Sequence, residues 1–450
     1  MISTQHRIIA AGVIGNVLEW YDFAIYAYFA AAIGRQFFPH QDAVAQLLSA
    51  FGVFALGYLM RPIGGALVGH IGDQFGRRAA LTFSVTAMAI PTFSIGLLPG
   101  YATLGLWAPT ALTLLRMVQG LSVGGEYTSS MVFLVEHAPE GRRGLMGALA
   151  ASGATGGILL GSGVGAAFAA TLSATALESW GWRIPFLLGL VVGIAGYLLR
   201  RHLLETTPTE RRRRLPIIVT LHDHLRPVLC FAGLSVFGAA GFYASFVYLV
   251  SWLQTADRIP ASRALEINSF SMAMLLPTVI VAGLLSDRFG RKPLLLLSTL
   301  LGLVGALPLF WLLNHPSIAL AQVGQLGFVL IIGIYLGTLP AVVVEAAPPS
   351  LRCTVVSLGY NISFGVIGGL TPLVATWLVT RTGDEIAPAF LIIASAAVTF
   401  IATVSLRETY RASFTALTSG AILDADSNYS FSRHRSGTCS SHGGIAQSYR

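Results

Sequence analysis

Charged residues are scarce in this chain of 450 residues: Asp, Glu, Lys and Arg together make up 11%, against about 25% in ordinary soluble domains. So small a share cannot cover a globular surface with polar groups, which excludes a soluble enzyme. Hydrophobic residues make up 54% and the mean hydropathy is +0.71. In lipid, all backbone polar groups must be satisfied inside helices or a closed barrel. The long apolar runs lack the alternation of barrel strands, so the composition predicts an all-α membrane protein.

Lysine and cysteine are also nearly absent. Lys292 is the only lysine and Pro293 follows it, so the chain has no G-x-x-x-x-G-K-[ST] phosphate loop for ATP. The cysteines Cys230, Cys353 and Cys439 are odd in number and lack metal-ligand spacing, which predicts neither a disulfide framework nor a metal site. No H-E-x-x-H or G-x-S-x-G element is present, so we do not expect an intramembrane enzyme.

Twelve windows are long and apolar enough to predict transmembrane helices. They lie at approximately 9–32, 43–68, 79–99, 105–135, 145–172, 184–200, 227–252, 266–285, 294–313, 317–345, 353–379 and 387–406. The basic residues are concentrated in the amino terminus, alternate loops and the tail, whereas the opposite side has only Arg35, Arg183, Arg258, Arg263 and Arg381. This asymmetry predicts that both termini are cytoplasmic. The net charge of +8 therefore reflects topology, and we expect no nucleic-acid partner.

Composition also divides the chain. A basic segment with four consecutive arginines at 211–214 separates the sixth and seventh windows, and like charges of this kind are typical of a solvated linker. The end of the chain is rich in Ser and small polar residues. We expect an N-terminal six-helix bundle at 1–200, a cytoplasmic linker at 201–225, a C-terminal six-helix bundle at 226–411 and a disordered cytoplasmic tail at 412–450.

Two short patterns occur twice at nearly the same offset, which predicts two six-helix halves related by duplication. Gly69-x-x-x-Asp73-x-x-Gly76-Arg77-Arg78 corresponds to Gly283-x-x-x-Asp287-x-x-Gly290-Arg291-Lys292, and Glu136, Pro139 and Arg143 correspond to Glu345, Pro348 and Arg352. An aspartate can accept hydrogen bonds at a neighbouring helix amino terminus, and basic side chains can contact carboxylates or helix carboxyl ends. We predict that these groups hold the cytoplasmic ends of the halves together in one conformation; the alternative is that the basic residues only anchor the topology. The predicted cytoplasmic gating residues are Asp73, Arg77, Arg78, Glu136, Arg143, Asp287, Arg291, Lys292, Glu345 and Arg352.

The doubled loop in a twelve-helix chain resembles the major facilitator superfamily, and further stretches resemble its metabolite:proton symporter family. These stretches are Gly15-Asn-Val-Leu-Glu19-Trp-Tyr-Asp22-Phe23, Arg61-Pro-Ile-Gly64, Arg116-Met-Val-Gln119-Gly120, Gly124-Gly-Glu126-Tyr127, Trp180-Gly-Trp-Arg183-Ile-Pro185-Phe186 and Gly369-Leu-Thr-Pro372. That family includes proline/betaine, alpha-ketoglutarate, citrate and shikimate transporters. The resemblance implies secondary active import of a small polar metabolite with a proton, powered by the proton gradient and without a cofactor.

The motifs Gly-Gly-Glu-Tyr-Thr and Leu-Thr-Pro resemble those of the proline/betaine branch of this family. Transporters of that branch often end in a coiled coil, and the tail of this chain has no coiled-coil pattern. A dicarboxylate or tricarboxylate substrate, such as citrate or alpha-ketoglutarate, is therefore the alternative. A drug efflux antiporter and a non-transporting sensor are weaker alternatives. We expect a monomer in the cytoplasmic (inner) membrane whose partners are the substrate, the proton and the lipid bilayer.

Five charged residues lie within predicted spans: Glu19, Asp22, Arg61, Arg116 and Glu126. Each costs about 2.5–3.5 kcal/mol at the bilayer centre, so they must face a polar interior and largely pair. Three carboxylates against two guanidinium groups leave one acid for the proton. The predicted proton-coupling residues are Glu19, Asp22 and Glu126, with Glu19 and Asp22 sharing a proton and Arg116 or Arg61 holding a substrate carboxylate. The alternative is a static network that holds helices together.

Polar and aromatic side chains at helical spacing around these charges complete the predicted site. The predicted substrate-binding residues are Asn16, Tyr26, Arg61, Arg116, Gln119, Tyr127 and Tyr243. An aromatic cage for a quaternary ammonium group is possible among Trp20, Tyr21, Phe242, Tyr243, Phe246 and Tyr248, although such residues also serve in packing.

Glycines recur every four residues in the fifth span, at Gly153, Gly157, Gly161 and Gly165. Small residues at this spacing predict close packing against another helix. This span also contains no proline, whereas related proton antiporters that expel drugs have a Gly-Pro element there. The absence of this Gly-Pro element makes a drug efflux antiporter a weaker alternative.

Overall fold

The computed structural model describes residues 16–39 except 18, 42–200 except 76, 220, 222, 225–255, 259–348 and 352–410. This described part contains twelve long helical segments, which we number α1 to α12. The first six are α1 (19–28 and Ala30–Phe37), α2 (Ala43–Leu59 and Arg61–Phe75), α3 (Arg77–Leu97), α4 (Trp107–Val123 and Glu126–Glu136), α5 (Arg143–Thr171) and α6 (Arg183–Arg200). The last six are α7 (Leu225–Thr255), α8 (Ala261–Phe289), α9 (Arg291–Leu313), α10 (Ile318–Ala346), α11 (Arg352–Thr382) and α12 (Pro388–Val404).

The predicted all-α architecture is confirmed. Seven helices of the described part are long and apolar enough to cross a membrane, and Thr82–Leu97 and Pro388–Val404 are shorter apolar helices. The predicted boundary at 201–225 lies outside the described residues except at Thr220, His222 and Leu225, and the predicted tail at 412–450 lies outside them entirely.

Local chemistry explains several helix ends. Asp42 accepts a hydrogen bond from the Val44 N–H at 2.9 Å and so caps the first turn of α2. Gly290 has φ of 104° and lies between α8 and α9, in a backbone conformation that L side chains rarely adopt. Two π-helical turns, Tyr243–Tyr248 in α7 and Ile362–Gly368 in α11, interrupt the regular helix, and such turns are frequent at functional sites.

The glycines of α5 bring it against α1. A Cβ atom added at Gly157 would lie 2.4 Å from the Val17 carbonyl oxygen, and one added at Gly161 would lie 2.9 Å from the Ala24 Cβ. The prediction of close helix packing by this row is therefore confirmed.

The α2 and α4 backbones also touch directly. A Cβ atom added at Gly120 would lie 1.8 Å from the Gly57 oxygen, and one added at Gly124 would lie 2.1 Å from the Arg61 oxygen. Side chains larger than hydrogen at these positions would force the two helices apart.

Contacts of α5 with α8 and of α2 with α11 join the half formed by α1–α6 to the half formed by α7–α12. Contacts of α10 with α5 and with α4 cross the same boundary.

Candidate substrate and proton site

Asp22 on α1 and Arg116 on α4 are both buried, and two uncharged side chains connect them. Asp22 Oδ2 accepts a hydrogen bond from Thr92 Oγ1 on α3. Gln119 Nε2 donates to Thr92 Oγ1 at 2.6 Å, and Arg116 Nη1 donates to Gln119 Oε1 at 2.8 Å. The two opposite charges thus lie at the ends of one hydrogen-bonded chain. The sequence analysis identified three of its four members and missed Thr92.

Aromatic rings surround the Arg116 guanidinium group. Its Cζ lies 4.7 Å from the Phe23 ring centroid, 4.3 Å from Tyr26 and 5.6 Å from Phe54. The Tyr26 hydroxyl donates to the Ala50 carbonyl oxygen at 3.1 Å, which holds its ring against α2. Arg116 Nε and Nη2 are buried and have no hydrogen-bond partner among the described residues. These N–H groups are therefore available to an anionic ligand.

Arg61 lies at the boundary between the halves. Its Cζ is 5.4 Å from the Trp20 ring centroid and 5.2 Å from that of Tyr58. Its Nε donates to Asn361 Oδ1 on α11 at 3.2 Å, and Asn361 Nδ2 donates to the Gly124 oxygen at 2.5 Å. Arg61 Nη1 is buried without a hydrogen-bond partner in the described part of the chain.

The rings near Arg61 come from both halves. Tyr127 lies 5.9 Å from Trp20 and 5.1 Å from Tyr360, measured between ring centroids. The Tyr243 hydroxyl donates to the Tyr58 hydroxyl at 2.7 Å, which joins the π-helical turn of α7 to α2. The predicted residues Tyr127 and Tyr243 are therefore part of this cluster, together with Tyr58 and Tyr360, which the sequence analysis did not identify.

The remaining predicted site residues have different surroundings. Glu19 is buried on α1, one turn before Asp22. Asn16 Nδ2 donates to Ser130 Oγ at 3.0 Å and to the Ala150 oxygen at 3.3 Å, so this side chain, just before α1, bonds to α4 and α5. The Glu126 side chain lies outside the described residues.

Three of the residues considered for a cage contact one another: the ring centroid of Phe242 lies 5.7 Å from that of Tyr243 and 5.3 Å from that of Phe246, and the cage stays a prediction. The Tyr21 hydroxyl donates to the Pro185 oxygen on α6 at 2.9 Å, and the Tyr248 ring contacts Phe51. The Trp20 and Tyr243 rings contact Tyr127 and Tyr58 of the cluster near Arg61.

At the end of the bundle that carries the repeated pattern, here called the motif end, Asp287 joins the two halves. Its Oδ1 accepts a hydrogen bond from the Gly144 N–H at 2.7 Å, and its Oδ2 accepts one from the Leu145 N–H at 2.8 Å. Asp287 ends α8 and the two N–H groups begin α5. A carboxylate in this position also interacts favourably with the α5 dipole.

Two ion pairs cross the same boundary. Arg352 Nη1 lies 2.6 Å from Glu136 Oε1, and Arg143 Nη1 lies 3.6 Å from Glu345 Oε1. Each pair joins one copy of the repeated Glu/Arg pattern to the other copy. The predicted partners therefore meet across the halves, and their role in gating stays a prediction.

The other basic residues of the motif end contact their own half. Arg291 Nη2 lies 3.1 Å from Glu345 Oε1, and Arg291 Nη1 lies 3.0 Å from Asp287 Oδ1. Lys292 Nζ donates to the Val404 and Leu406 carbonyl oxygens at 2.7 Å, where α12 ends. In the first copy of the pattern, Asp73, Arg77 and Arg78 lie in helical backbone, and their side chains are outside the described residues.

An uncharged network joins the halves at the opposite end, which we call the neutral network. Asn268 Nδ2 donates to Tyr28 Oη at 3.0 Å and to Ser162 Oγ at 3.2 Å, and Gln325 Nε2 donates to Asn268 Oδ1 at 2.8 Å. Ser162 Oγ also lies 2.8 Å from Ser269 Oγ. The halves are thus in contact both at the motif end and at the neutral network.

Residues 12–360 match the family model described as the Major Facilitator Superfamily. The chain belongs to this superfamily. A second model, described as a domain of unknown function, DUF3761, matches residues 425–449, outside the described part. Membership makes the protein a multi-pass membrane transporter rather than an enzyme, and it confirms the predicted fold of twelve helices in two pseudo-symmetric halves.

Several curated transporters are similar over most of the chain. The chain is 34% identical over 419 residues to the proline/betaine transporter of Salmonella typhimurium. This alignment covers 90% of this chain and 83% of that protein. The same values hold for the glycine betaine/proline/ectoine/pipecolic acid transporter OusA of Dickeya dadantii. A putative proline/betaine transporter of Staphylococcus aureus is 35% identical over 415 residues, or 88% of this chain and 87% of that protein.

Solved structures give the same fold. The proton:xylose symporter XylE superposes with a TM-score of 0.73 at 17% identity, over 92% of this chain and 98% of that one. A structure of a D-xylose-proton symporter has a TM-score of 0.71 at 20% identity, over 88% and 98% of the two chains.

Proposed function

We propose that this transporter imports a small zwitterion of the proline/betaine class together with a proton. The observation that carries the proposal is the pair of buried guanidinium groups of the first half, Arg61 and Arg116, of which Arg61 also bonds to Asn361 on α11 of the second half. Arg61 and Arg116 each have N–H groups without a partner among the described residues, and aromatic rings cover their faces. The similarity to proline/betaine transporters supports the choice of substrate class.

The two ends of such a zwitterion need different surroundings. Its carboxylate accepts hydrogen bonds from Arg116 Nε and Nη2, because charge-assisted bonds of this kind are strong in a buried site. Its ammonium group lies against the ring of Tyr127, which contributes about 0.5–2 kcal/mol, because the Arg61 guanidinium group already covers the rings of Trp20 and Tyr58. Tyr243, joined to Tyr58 by a hydrogen bond, and Gln119, joined to Arg116, hold these binding groups in place.

The proton binds to one of the three carboxyl groups predicted for coupling, Asp22, Glu19 or Glu126. Asp22 is the first candidate because it is buried and connected to Arg116 through hydrogen bonds. Glu19, one turn away, and Glu126 are the other candidates. Energy for import comes from the proton gradient, with no cofactor.

Transport proceeds by rocking of the two halves about the central site, so that it opens to one side at a time. We assign the motif end to the cytoplasm, where Asp287, Glu136, Arg143, Glu345 and Arg352 close the pathway. The halves extend over 1–200 and 226–411, with a linker at 201–225 and a tail at 412–450. Both termini are cytoplasmic, and the protein works as a monomer in the cytoplasmic membrane.

A dicarboxylate or tricarboxylate is the second candidate substrate. Two guanidinium groups with available N–H donors also suit a ligand that carries two carboxylates. The aromatic faces favour the zwitterion, because a second carboxylate gains nothing from the negative face of a ring.

Uptake into proteoliposomes tests the proposal. Vesicles with an alkaline interior are supplied with radiolabelled proline, glycine betaine, citrate or alpha-ketoglutarate. We expect accumulation of proline or glycine betaine that collapses when a protonophore removes the pH gradient. Accumulation of the organic acids alone would replace the first candidate by the second, and no gradient-driven uptake of any of the four would refute both.

Variants of the acids test the proton assignment. Asp22→Asn is expected to abolish gradient-driven accumulation while leaving exchange of labelled for unlabelled substrate. Glu266→Gln is the matched control, because this exposed carboxylate pairs with Arg263 away from the central site. Accumulation by Asp22→Asn at the wild-type level would move the proton to Glu19 or Glu126.

A further inference from the structure

We propose that Thr92 is a positioning residue for proton coupling. Its hydroxyl group keeps a hydrogen bond with Asp22 in both protonation states and connects each state to Arg116 through Gln119. The inference rests on the proposed function, in which Asp22 carries the proton.

The Thr92 hydroxyl group has more hydrogen-bond partners than hydrogens to donate. A threonine hydroxyl has one hydrogen to donate and two lone pairs to accept with. Thr92 Oγ1 has three partners: Asp22 Oδ2, Gln119 Nε2 at 2.6 Å and the Met88 carbonyl oxygen at 2.8 Å. Gln119 Nε2 can only donate, so it occupies one lone pair of the hydroxyl. The carboxylate and the carbonyl oxygen then compete for the single hydrogen.

Gln119 cannot reverse its role. Its Oε1 accepts from Arg116 Nη1 at 2.8 Å, and a guanidinium group has donors only. Rotating the amide by half a turn would place its NH₂ group against the Arg116 N–H. Arg116 therefore fixes the amide, and the amide fixes one side of the Thr92 hydroxyl.

Only the Thr92 hydrogen is free to move between partners. When Asp22 is ionised, Thr92 donates to its carboxylate. When Asp22 is protonated, the acid donates to the second lone pair of Thr92, and the Thr92 hydrogen turns to the Met88 oxygen. Asp22 Oδ2, Thr92 Oγ1, Gln119 Nε2 and Arg116 Nη1 keep a partner in both states, so the buried acid can exchange a proton without leaving any of these four atoms unpaired.

The groups around Asp22 show how much its carboxylate depends on the hydrogen bond from Thr92. The groups that face it are Thr92 from α3, Arg116 from α4 through the chain, and the small Gly189 from α6, where an added Cβ atom would lie 3.3 Å from Asp22 Oδ1. On its own helix, Glu19 lies one turn earlier and Tyr21 is adjacent. Asp22 Oδ1 has no hydrogen-bond partner in the described part of the chain. Thr92 is thus the sole side-chain donor to Asp22 among the described residues.

The test compares Thr92→Val with Thr92→Ser in proteoliposomes that take up radiolabelled proline or glycine betaine. Valine has nearly the shape of threonine but no hydroxyl, so the ionised carboxylate loses its donor. The protonated acid also loses its acceptor, but a hydrogen bond to a charged group is roughly twice as strong as a neutral one, so we expect the pH profile of uptake to move upward by up to about one pH unit. Thr92→Ser keeps the hydroxyl and is expected to retain the wild-type profile.

Further variants keep the outcomes distinct. Thr92→Ala removes the same hydroxyl without a branched side chain, and it is expected to shift the profile in the same direction if the valine variant does not fold. A wild-type profile for whichever of these two variants folds, or a shift in Thr92→Ser equal to theirs, would overturn the inference. If Asp22→Asn still accumulates substrate, the proton assignment itself fails. If Asp22→Asn abolishes accumulation and removal of the Thr92 hydroxyl changes nothing, the role of Thr92 alone fails.

Discussion

Asp287→Ala is expected to open the motif end of the protein. The Asp287 carboxylate accepts two hydrogen bonds from the first turn of α5, at 2.7 and 2.8 Å, and its side chain is 8% exposed. Each hydrogen bond to a charged group contributes about 1.5–3 kcal/mol net of water, so the two contribute at least about 3 kcal/mol to the closed state. The contact between Asp287 and Arg291 lies within one half and persists on opening, so it does not contribute to the free-energy difference between the closed and open states. The ratio of closed to open molecules should fall by a factor of about 150.

Distances between spin labels measure this ratio. Labels are attached to Glu140→Cys and Ser405→Cys, which are exposed positions near the motif end on opposite halves. The native cysteines Cys230, Cys353 and Cys439 are replaced by serine. Pulsed electron spin resonance then gives the populations of the short and long distances in detergent or nanodiscs. We expect the long distance to dominate in Asp287→Ala and to be intermediate in Asp287→Asn, which keeps one acceptor oxygen.

Asp42→Ala is the matched control. Asp42 also accepts a hydrogen bond from a helix N-terminus, at 2.9 Å from Val44 N, but both groups belong to α2. Its removal affects open and closed molecules equally, so the distance distribution should match wild type. An unchanged distribution in Asp287→Ala, or an equal opening in Asp42→Ala, would refute the assignment of Asp287 to the gate.

Three further changes test other contacts. Arg352→Glu should open the motif end several-fold, because it faces Glu136 at 2.6 Å, and adding Glu136→Arg should restore the wild-type distance distribution. Gly120→Ala should lower the thermal unfolding temperature, because overpacking the α2–α4 contact costs about 1–3 kcal/mol or more, whereas Gly163→Ala, with no atom within 4 Å of the added Cβ, should not lower it. Asn361→Leu should weaken substrate binding in a calorimetric titration, since Arg61 loses its partner on α11; unaltered binding would contradict a role for Arg61 in the site.

Charge made part of the site predictable. An Arg, Asp or Glu within an apolar span stands out because its burial requires polar surroundings. Asp22, Arg61 and Arg116 were identified in this way, and helical spacing added Tyr26, Gln119 and Tyr127. Placing these residues relative to one another required the packing of the helices, which depends on contacts between residues far apart in sequence.

Uncharged members of the site gave no such signal. Thr92, Tyr58, Tyr360 and Asn361 belong to residue types that occur throughout the spans, so only their position in the fold distinguishes them. For the same reason, the contacts between the halves could be predicted from the sequence at only one of the two ends of the bundle. The contacts at the motif end involve a repeated charged pattern, whereas the neutral network consists of Asn, Ser, Gln and Tyr side chains without a visible repeat.

The glycine contacts between α2 and α4 have a consequence for selectivity. Because the two backbones touch at Gly57 and Gly120, the helices move as one piece when the halves rock. The guanidinium groups of Arg61 on α2 and Arg116 on α4 then keep a constant distance from each other throughout the transport cycle. Two guanidinium groups at a fixed spacing suit two anionic groups at one separation, so dicarboxylates of growing length should inhibit uptake of the zwitterion with a sharp length optimum, and equal inhibition across the series would contradict a rigid pair.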